Sequence, residues 1–336
     1  MLKSDPSPLA LTMGEPAGIG GEIALRAWAA RTPASPVFFM IDDVARLESI
    51  ARRFSIACPC ERISAPDQAA GVFARALPVL TPVTPLTTQI TLGTPTSAAA
   101  PAVIGAIDQA VALLKMGTAA GVVTNPIHKA SLTASGFGFP GHTEYLGHLA
   151  GADSVMMLAV EGLRVVPVTI HVAVKDVAAA LTTAAIVHCG RVTAAALKTD
   201  FGITHPRLAV AALNPHAGEK GNMGHEEHDI IAPAIAQLCA DGIDATGPAP
   251  ADTLFHAAAR TQFDAALCMY HDQALIPLKT IDFAGGVNVT LGLPFVRTSP
   301  DHGTAFDIAA KGVADPSSLI AALHMAAAIA ARRAVA

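Results

Sequence analysis

Short apolar runs recur along this chain, and most are followed by longer alanine- and leucine-rich segments of helical period. A run that is apolar on both faces suits a buried parallel strand, and the segment after it supplies the crossover that parallel pairing requires. The runs Leu9 to Met13, Val37 to Ile41, Gly121 to Thr124, Val165 to Thr169, Leu208 to Ala212 and Ala265 to Met269 read as strands. Gly20 to Ala30, Ala98 to Met116, Val177 to Ala180, Ile186 to Asp200, His225 to Ala240 and Pro316 to Ala330 read as helices, rich in helix formers and poor in breakers. The expected class is therefore α/β on a mostly parallel sheet. At 336 residues there is chain for about two domains, and the expectation is one polypeptide of two interleaved α/β/α lobes.

Composition narrows the partners. Hydrophobic residues make up 52% and charged residues 15%, which excludes a disordered or fibrous chain. The formal charge is −5, from 22 basic and 27 acidic residues, the wrong sign for a nucleic-acid binder. Five cysteines, of which only Cys58 and Cys60 are close, make neither a disulfide framework nor a paired zinc motif and point to a reducing cytoplasm. No apolar stretch of about 18 residues is uninterrupted, so no membrane span is expected, and the alanine-rich tail reads as a packed terminal helix. Five prolines between Leu77 and Pro101 forbid a long helix there and suggest an irregular arm. Cys58 to Ile90 carries no motif to which a role attaches.

In open parallel sheets, ligands bind beyond the carboxyl ends of strands. Four strand ends here are polar: TNPIHKASL after Thr124, His171 after Thr169, NPHAGEKG after Ala212 and YHDQALIPLK after Met269. His171, His216 and His271 lie 45 and 55 residues apart, so any ion they share is assembled by the fold and not by a local finger. Three neutral imidazoles leave an open coordination position, the style of a catalytic metal. Asp272 follows His271, and Asp252 is either a further carboxylate for that site or a helix cap. His225 and His228 resemble a metal pair, but Glu226 and Glu227 between them suit a helix N-terminus.

A second cluster is cationic. Lys279, Asn288 and Arg297 lie in an apolar, glycine- and proline-rich stretch where charges are few, which suggests recognition of a phosphate or carboxylate. GFGFPGHTEYLG presents His142 and Thr143 among glycines, and MGEPAGIGGEIAL forms a glycine-rich turn that lacks the GxGxxG spacing of a dinucleotide fold.

Taken together, LTMGEPAGIGGEIAL, TNPIHKASL, GFPGHTEYL, LNPHAGEKGNMG, GPAPADTLF, YHDQALIPLK and GVNVTLGLPFVRTSPDHGTAFDIA resemble the 4-hydroxythreonine-4-phosphate dehydrogenases of vitamin B6 synthesis, nearly end to end. The resemblance implies His171, His216 and His271 as metal ligands and His142, Thr143, Lys279, Asn288 and Arg297 as substrate-binding residues. It implies one divalent ion per site (Zn, Mg or Co), a homodimer with the active site completed at the interface, and a cleft between the two lobes of residues 1–336. It also implies NAD- or NADP-dependent oxidation of a phosphorylated amino acid to a β-keto acid that loses carbon dioxide. Lys279 and Asp272 are both candidates for the general base.

TSPDHGTAFDIAAKG looks like the adenosine loop of the isopropylmalate and isocitrate dehydrogenases, a similar fold. By that analogy His302, Gly303, Thr304 and Asp307 face the cofactor; the alternative is a helix N-terminus capped by Thr304. Gly21 departs from the family, which usually has Pro there. Two other functions compete. One is a sister dehydrogenase acting on a four-carbon sugar-acid phosphate or a carboxylated aromatic dihydrodiol. The other is a non-catalytic metal- and phosphate-binding module, which would not need the HGTAFDIA loop.

Overall fold

The computed structural model describes residues 7–139 and 141–335. Pro140, within the glycine-rich GFGFPGHTEYLG stretch, lies outside them. The chain divides into a first unit, Met1–Asp153 with Leu293–Ala331, and a second, Ser154–Gly292 with Arg332–Ala336.

The first unit is built on six strands: β1 (Leu9–Thr12), β2 (Phe38–Ile41), β3 (Cys60–Ile63), β4 (Leu77–Leu80), β5 (Gly121–Thr124) and β12 (Arg297–Pro300). Their order is β3-β4-β2-β1-β5-β12, and every pairing is parallel. Helices α1 (Gly20–Ala29), α2 (Val44–Arg53), α3 (Ala69–Phe73), α4 (Ala100–Lys115), α5 (Lys129–Ala134) and α6 (His142–Ala150) follow these strands. Every residue of β1 is buried, as a strand covered on both faces demands. Against it packs α4, whose Ala102, Val103, Ala106, Ile107, Ala110 and Val111 form one buried stripe. With its preceding turn, Ser97–Lys115 has the length and hydropathy of a membrane-crossing helix, yet half of that window is buried inside the protein.

In the second unit lie β6 (Val155–Val160), β7 (Leu163–Pro167), β8 (Arg207–Ala211), β9 (Asp244–Ala249), β10 (Ala265–Cys268) and β11 (Val287–Leu291), in the order β11-β6-β7-β10-β8-β9. Here β6 pairs antiparallel with both β11 and β7, while β7, β10, β8 and β9 run parallel. Its helices are α7 (Val177–Ala180), α8 (Thr183–Thr199), α9 (Ala232–Ala240), α10 (Ala251–Leu254), α11 (Ala257–Arg260) and α12 (His271–Ile281). The terminal helix α13 (Ser317–Arg333) buries Leu319, Ala322, Leu323, Ala326 and Ile329, so the alanine-rich tail is a packed helix.

The six apolar runs are all strands, within two residues of their expected limits. The structure adds β3, β4, β6, β9, β11 and β12. Segment 58–90, which carried no motif, supplies two of them, β3 and β4. The proline-rich stretch after β4 holds no helix until Ser97 and only an isolated bridge between Thr91 and Thr94. The helix expected from His225 instead starts as a π turn, Glu227–Ile231, before α9.

Candidate active site

The glycine-rich turn after β1 lies against the end of β5. Gly14 is at φ +64°, and a Cβ there would lie 2.6 Å from the Pro126 carbonyl and 2.7 Å from Asn125 Cβ, so only glycine fits. Asn125 in turn donates through Nδ2 to the Thr12 carbonyl, tying the two strand ends together. At Gly21 a Cβ would meet Ile50 Cδ1 at 2.8 Å, so a proline there would require the tip of Ile50 to shift.

Beside this turn β12 pairs with β5, matching Arg297 to Val122. That register puts the guanidinium of Arg297 on Thr124, whose Oγ1 accepts from Nε at 3.2 Å and Nη2 at 2.7 Å. Arg297 is only 3% exposed. Burial brings its pKa down to about 10, against the opposing pull of Glu144, so it keeps its charge at neutral pH. His142 opens α6, and its Nε2 is sealed from solvent without a hydrogen-bond partner. Burial first, and then the charge of Arg297, hold this imidazole well below its ordinary range. Thr143 is buried on the same turn. A buried guanidinium, a neutral imidazole and a helix N-terminus are the components of an anion site.

The loop after β12 approaches the glycine-rich turn. Ile19 N–H donates to the Thr304 carbonyl at 3.1 Å, and a Cβ on Gly18 would lie 2.8 Å from that oxygen. His302 Nδ1 lies 3.0 Å from the Gly303 carbonyl, while its Nε2 is buried and unpartnered. Gly303 and Asp307 are exposed. No helix begins at Thr304; the next is α13, so the cap reading does not hold. Phe306 stands edge-on to His128, centroids 5.0 Å apart.

In the second unit the three histidines follow three neighbouring strands: His171 after β7, His271 as the first residue of α12 after β10, and His216 after β8. The rings of His171 and His271 are 6.2 Å apart. Two imidazoles on one ion, at metal–nitrogen distances of about 2.1 Å, have centroids on the order of 5–6 Å apart, so this pair fits an ion with little movement. His271 Nδ1 lies 2.7 Å from Asp272 Oδ1, a contact that leaves Nε2 free to ligate. His216 does not complete a cluster with this pair: among the described residues no three His, Cys, Asp or Glu side chains form a closed metal site.

His216 begins a run of six residues with positive φ, through Ala217, Gly218, Glu219 and Lys220 to Gly221. Left-handed backbone costs about 1–2 kcal/mol for each residue other than glycine. Sequence reasoning missed what balances it: Glu227, assigned only to a helix start, accepts hydrogen bonds at the foot of this turn. The available signal was a carboxylate 11 residues past His216 in a stretch too short to bury it elsewhere. Thr124, the partner of Arg297, was also missed, though it stood at a recognised strand end.

Lys279 lies two turns along α12 with Nζ 5.2 Å from the ring of Phe283. Asn288 is half-buried on β11, opposite Leu158. Asp252 is exposed in the first turn of α10 and caps nothing; the capping side chain nearby is His256, whose Nδ1 accepts from Ala259 N–H at the start of α11.

Parallel strands whose carboxyl ends carry a buried cation, a histidine pair and a glycine-spaced loop define an α/β enzyme of the isocitrate-dehydrogenase-like fold class. Residues 34–326 match the family model described as pyridoxal phosphate biosynthetic protein PdxA, and the chain belongs to that family. It is 54% identical over 335 residues to the 4-hydroxythreonine-4-phosphate dehydrogenase of Caulobacter vibrioides, covering 98% of this chain and 99% of the relative. The crystal structure of the Klebsiella pneumoniae 4-hydroxythreonine-4-phosphate dehydrogenase superposes with a TM-score of 0.85 at 36% identity, covering 96% of this chain and 99% of that one. A terephthalate 1,2-cis-dihydrodiol dehydrogenase from Burkholderia xenovorans is more distant, with a TM-score of 0.63 at 27% identity over 95% of this chain and 97% of that one.

Proposed function

We propose that the chain is a 4-hydroxythreonine-4-phosphate dehydrogenase, oxidising the secondary alcohol of 4-phosphohydroxy-L-threonine with NAD or NADP. The product, 2-amino-3-oxo-4-phosphooxybutanoate, then decarboxylates to 3-amino-2-oxopropyl phosphate on the route to pyridoxal phosphate. The observation that carries this reading is identity above 50% over nearly the whole of relatives bearing that name. The sister activity on a carboxylated dihydrodiol rests on a neighbour of half that identity, and the same cations would suit its carboxylate.

In this reading Arg297, His142 and Thr143 bind an anionic group of the substrate, with Lys279 and Asn288 as further contacts. Arg297 suits the task because its charge survives burial and a desolvated guanidinium grips phosphate by two parallel hydrogen bonds. His171, His216 and His271 are the proposed ligands of a divalent ion (Zn, Mg or Co), and Asp272 orients His271. When bound, that ion supplies Lewis-acid polarisation of the substrate oxygen, and the nicotinamide ring supplies the hydride acceptor. Lys279 or Asp272 takes the alcohol proton as the C–H hydride departs. The loop of His302, Gly303, Thr304 and Asp307 is the proposed cofactor contact, supported by the orphaned buried Nε2 of His302. A homodimer completing the site is carried over from the family resemblance. The cytoplasm is the proposed compartment, supported by five free cysteines.

The test is reduced-cofactor formation by the purified protein with 4-phosphohydroxy-L-threonine, with and without a chelator, beside unphosphorylated 4-hydroxythreonine. Turnover confined to the phosphate ester and abolished by the chelator is expected. Equal turnover of both compounds would remove the anion site from the mechanism.

A further inference from the structure

The backbone that carries His216 is unusual in this chain. Among the described residues the other non-glycine positions at positive φ, Ser55 and Ala305, are single, whereas His216, Ala217, Glu219 and Lys220 fall in one turn around Gly218. Such a turn persists only where its surroundings over-determine it.

One buried carboxylate does so. Glu227 is 7% exposed. Its Oε1 accepts from the backbone N–H of Leu213 at 2.9 Å and of Asn214 at 2.7 Å, the two residues that lead from β8 into the turn. Its Oε2 accepts from Asn214 Nδ2 at 3.0 Å, and the same amide donates to Glu226 Oε2 at 2.7 Å. Midway along the turn, Gly218 packs so closely that a Cβ would lie 2.6 Å from Glu227 Oε2. Glu227 thus touches the turn at its foot and at its middle. It also begins the π turn Glu227–Ile231, a local widening of a helix that commonly serves to re-aim a functional side chain.

We propose that Glu227 is a positioning residue for His216: its carboxylate holds the left-handed turn that presents the imidazole for metal binding. The inference rests on the reading of His216 as a metal ligand. Its chemistry is that of an outer partner which never touches the ion and fixes the orientation of a group that does.

The experiment is titration of the metal-stripped full-length protein with Co²⁺, followed by calorimetry and by visible absorption. The proteins compared are the wild type, His216→Ala, Glu227→Ala, Glu227→Gln and Gly218→Ala, each checked for folding by circular dichroism. Glu227→Ala should weaken Co²⁺ binding by about 10- to 100-fold and alter the absorption band. Glu227→Gln should recover part of the affinity, because its amide oxygen still accepts the Leu213 and Asn214 N–H groups. Gly218→Ala keeps the carboxylate but pushes it aside, and serves if Glu227→Ala does not fold; weakened binding is again expected. Wild-type Co²⁺ affinity in folded Glu227→Ala or Gly218→Ala, with His216→Ala impaired, would overturn the role of Glu227 and leave the ligand assignment intact. Unchanged affinity in His216→Ala would overturn the ligand assignment and the inference with it.

Discussion

Protonating His142 in the folded protein would bury a second positive charge beside Arg297. Burial and that neighbour hold its pKa well below the ordinary value, so the folded state keeps the ring neutral where the unfolded chain, with a pKa of about 6.5, takes up a proton. The stability that His142 contributes is fully present above the unfolded pKa and is lost as pH falls toward the depressed folded value, because the unfolded state then binds the extra proton. For one group that does not titrate when folded, the loss relative to high pH is about 0.2 kcal/mol at pH 7 and about 1.4 kcal/mol at pH 5.5. The stability gap between the wild type and His142→Asn should therefore shift by up to about 1.2 kcal/mol over that interval, against the wild type at the acid end. Urea unfolding of both proteins at the two pH values measures it, since every other titrating group cancels in the difference. A gap independent of pH would mean that His142 titrates normally, and that neither burial nor the charge of Arg297 holds its imidazole neutral.

Two further substitutions test the loop at Thr304 and the Asp200–Arg333 pair. Gly18→Ala sets a methyl 2.8 Å from the Thr304 carbonyl that receives the Ile19 N–H; weakening that bond, at about 1 kcal/mol, should raise KM for the nicotinamide cofactor about fivefold, and an unchanged KM would detach this loop from cofactor binding. Asp200 is 1% exposed and grips Arg333 through two bonds of 2.7 and 2.8 Å. Asp200→Asn leaves a partly buried guanidinium underpaired and should cost about 2–3 kcal/mol, read as a fall in thermal midpoint with KM values unaltered; a midpoint equal to wild type would show the pair to be solvent-screened.

Much of the frame was legible because it depends on local pattern. The runs at Leu9, Val37, Gly121, Val165, Leu208 and Ala265 are apolar on both faces, and a strand covered on both faces cannot be otherwise. Of the six strands that escaped, β4, β6 and β11 are largely apolar, buried runs of the same kind, and three are of other kinds. CERI of β3 is largely uncovered, DATGPA of β9 lies at an edge and carries glycine and proline, and RTSP of β12 is polar yet wholly buried. The burial of β12 comes from neighbours distant in the chain, and the pairing of β3 and β9 from strands to which they are edges, neither of which a local period records.

The candidate site divides in the same way. The sequence alone determined that polar side chains stand at strand ends, that His171, His216 and His271 follow three strands, and that glycine is needed where turns meet. Only the tertiary structure decided the strand order β7-β10-β8, which sets the strand ends that carry those histidines side by side, and the parallel register that sets Arg297 on Thr124. It alone brought Glu227 beneath the turn of His216. Strand composition specifies that a residue is buried, whereas order and register depend on which strands share a sheet, and that choice is made by the packing of the whole chain.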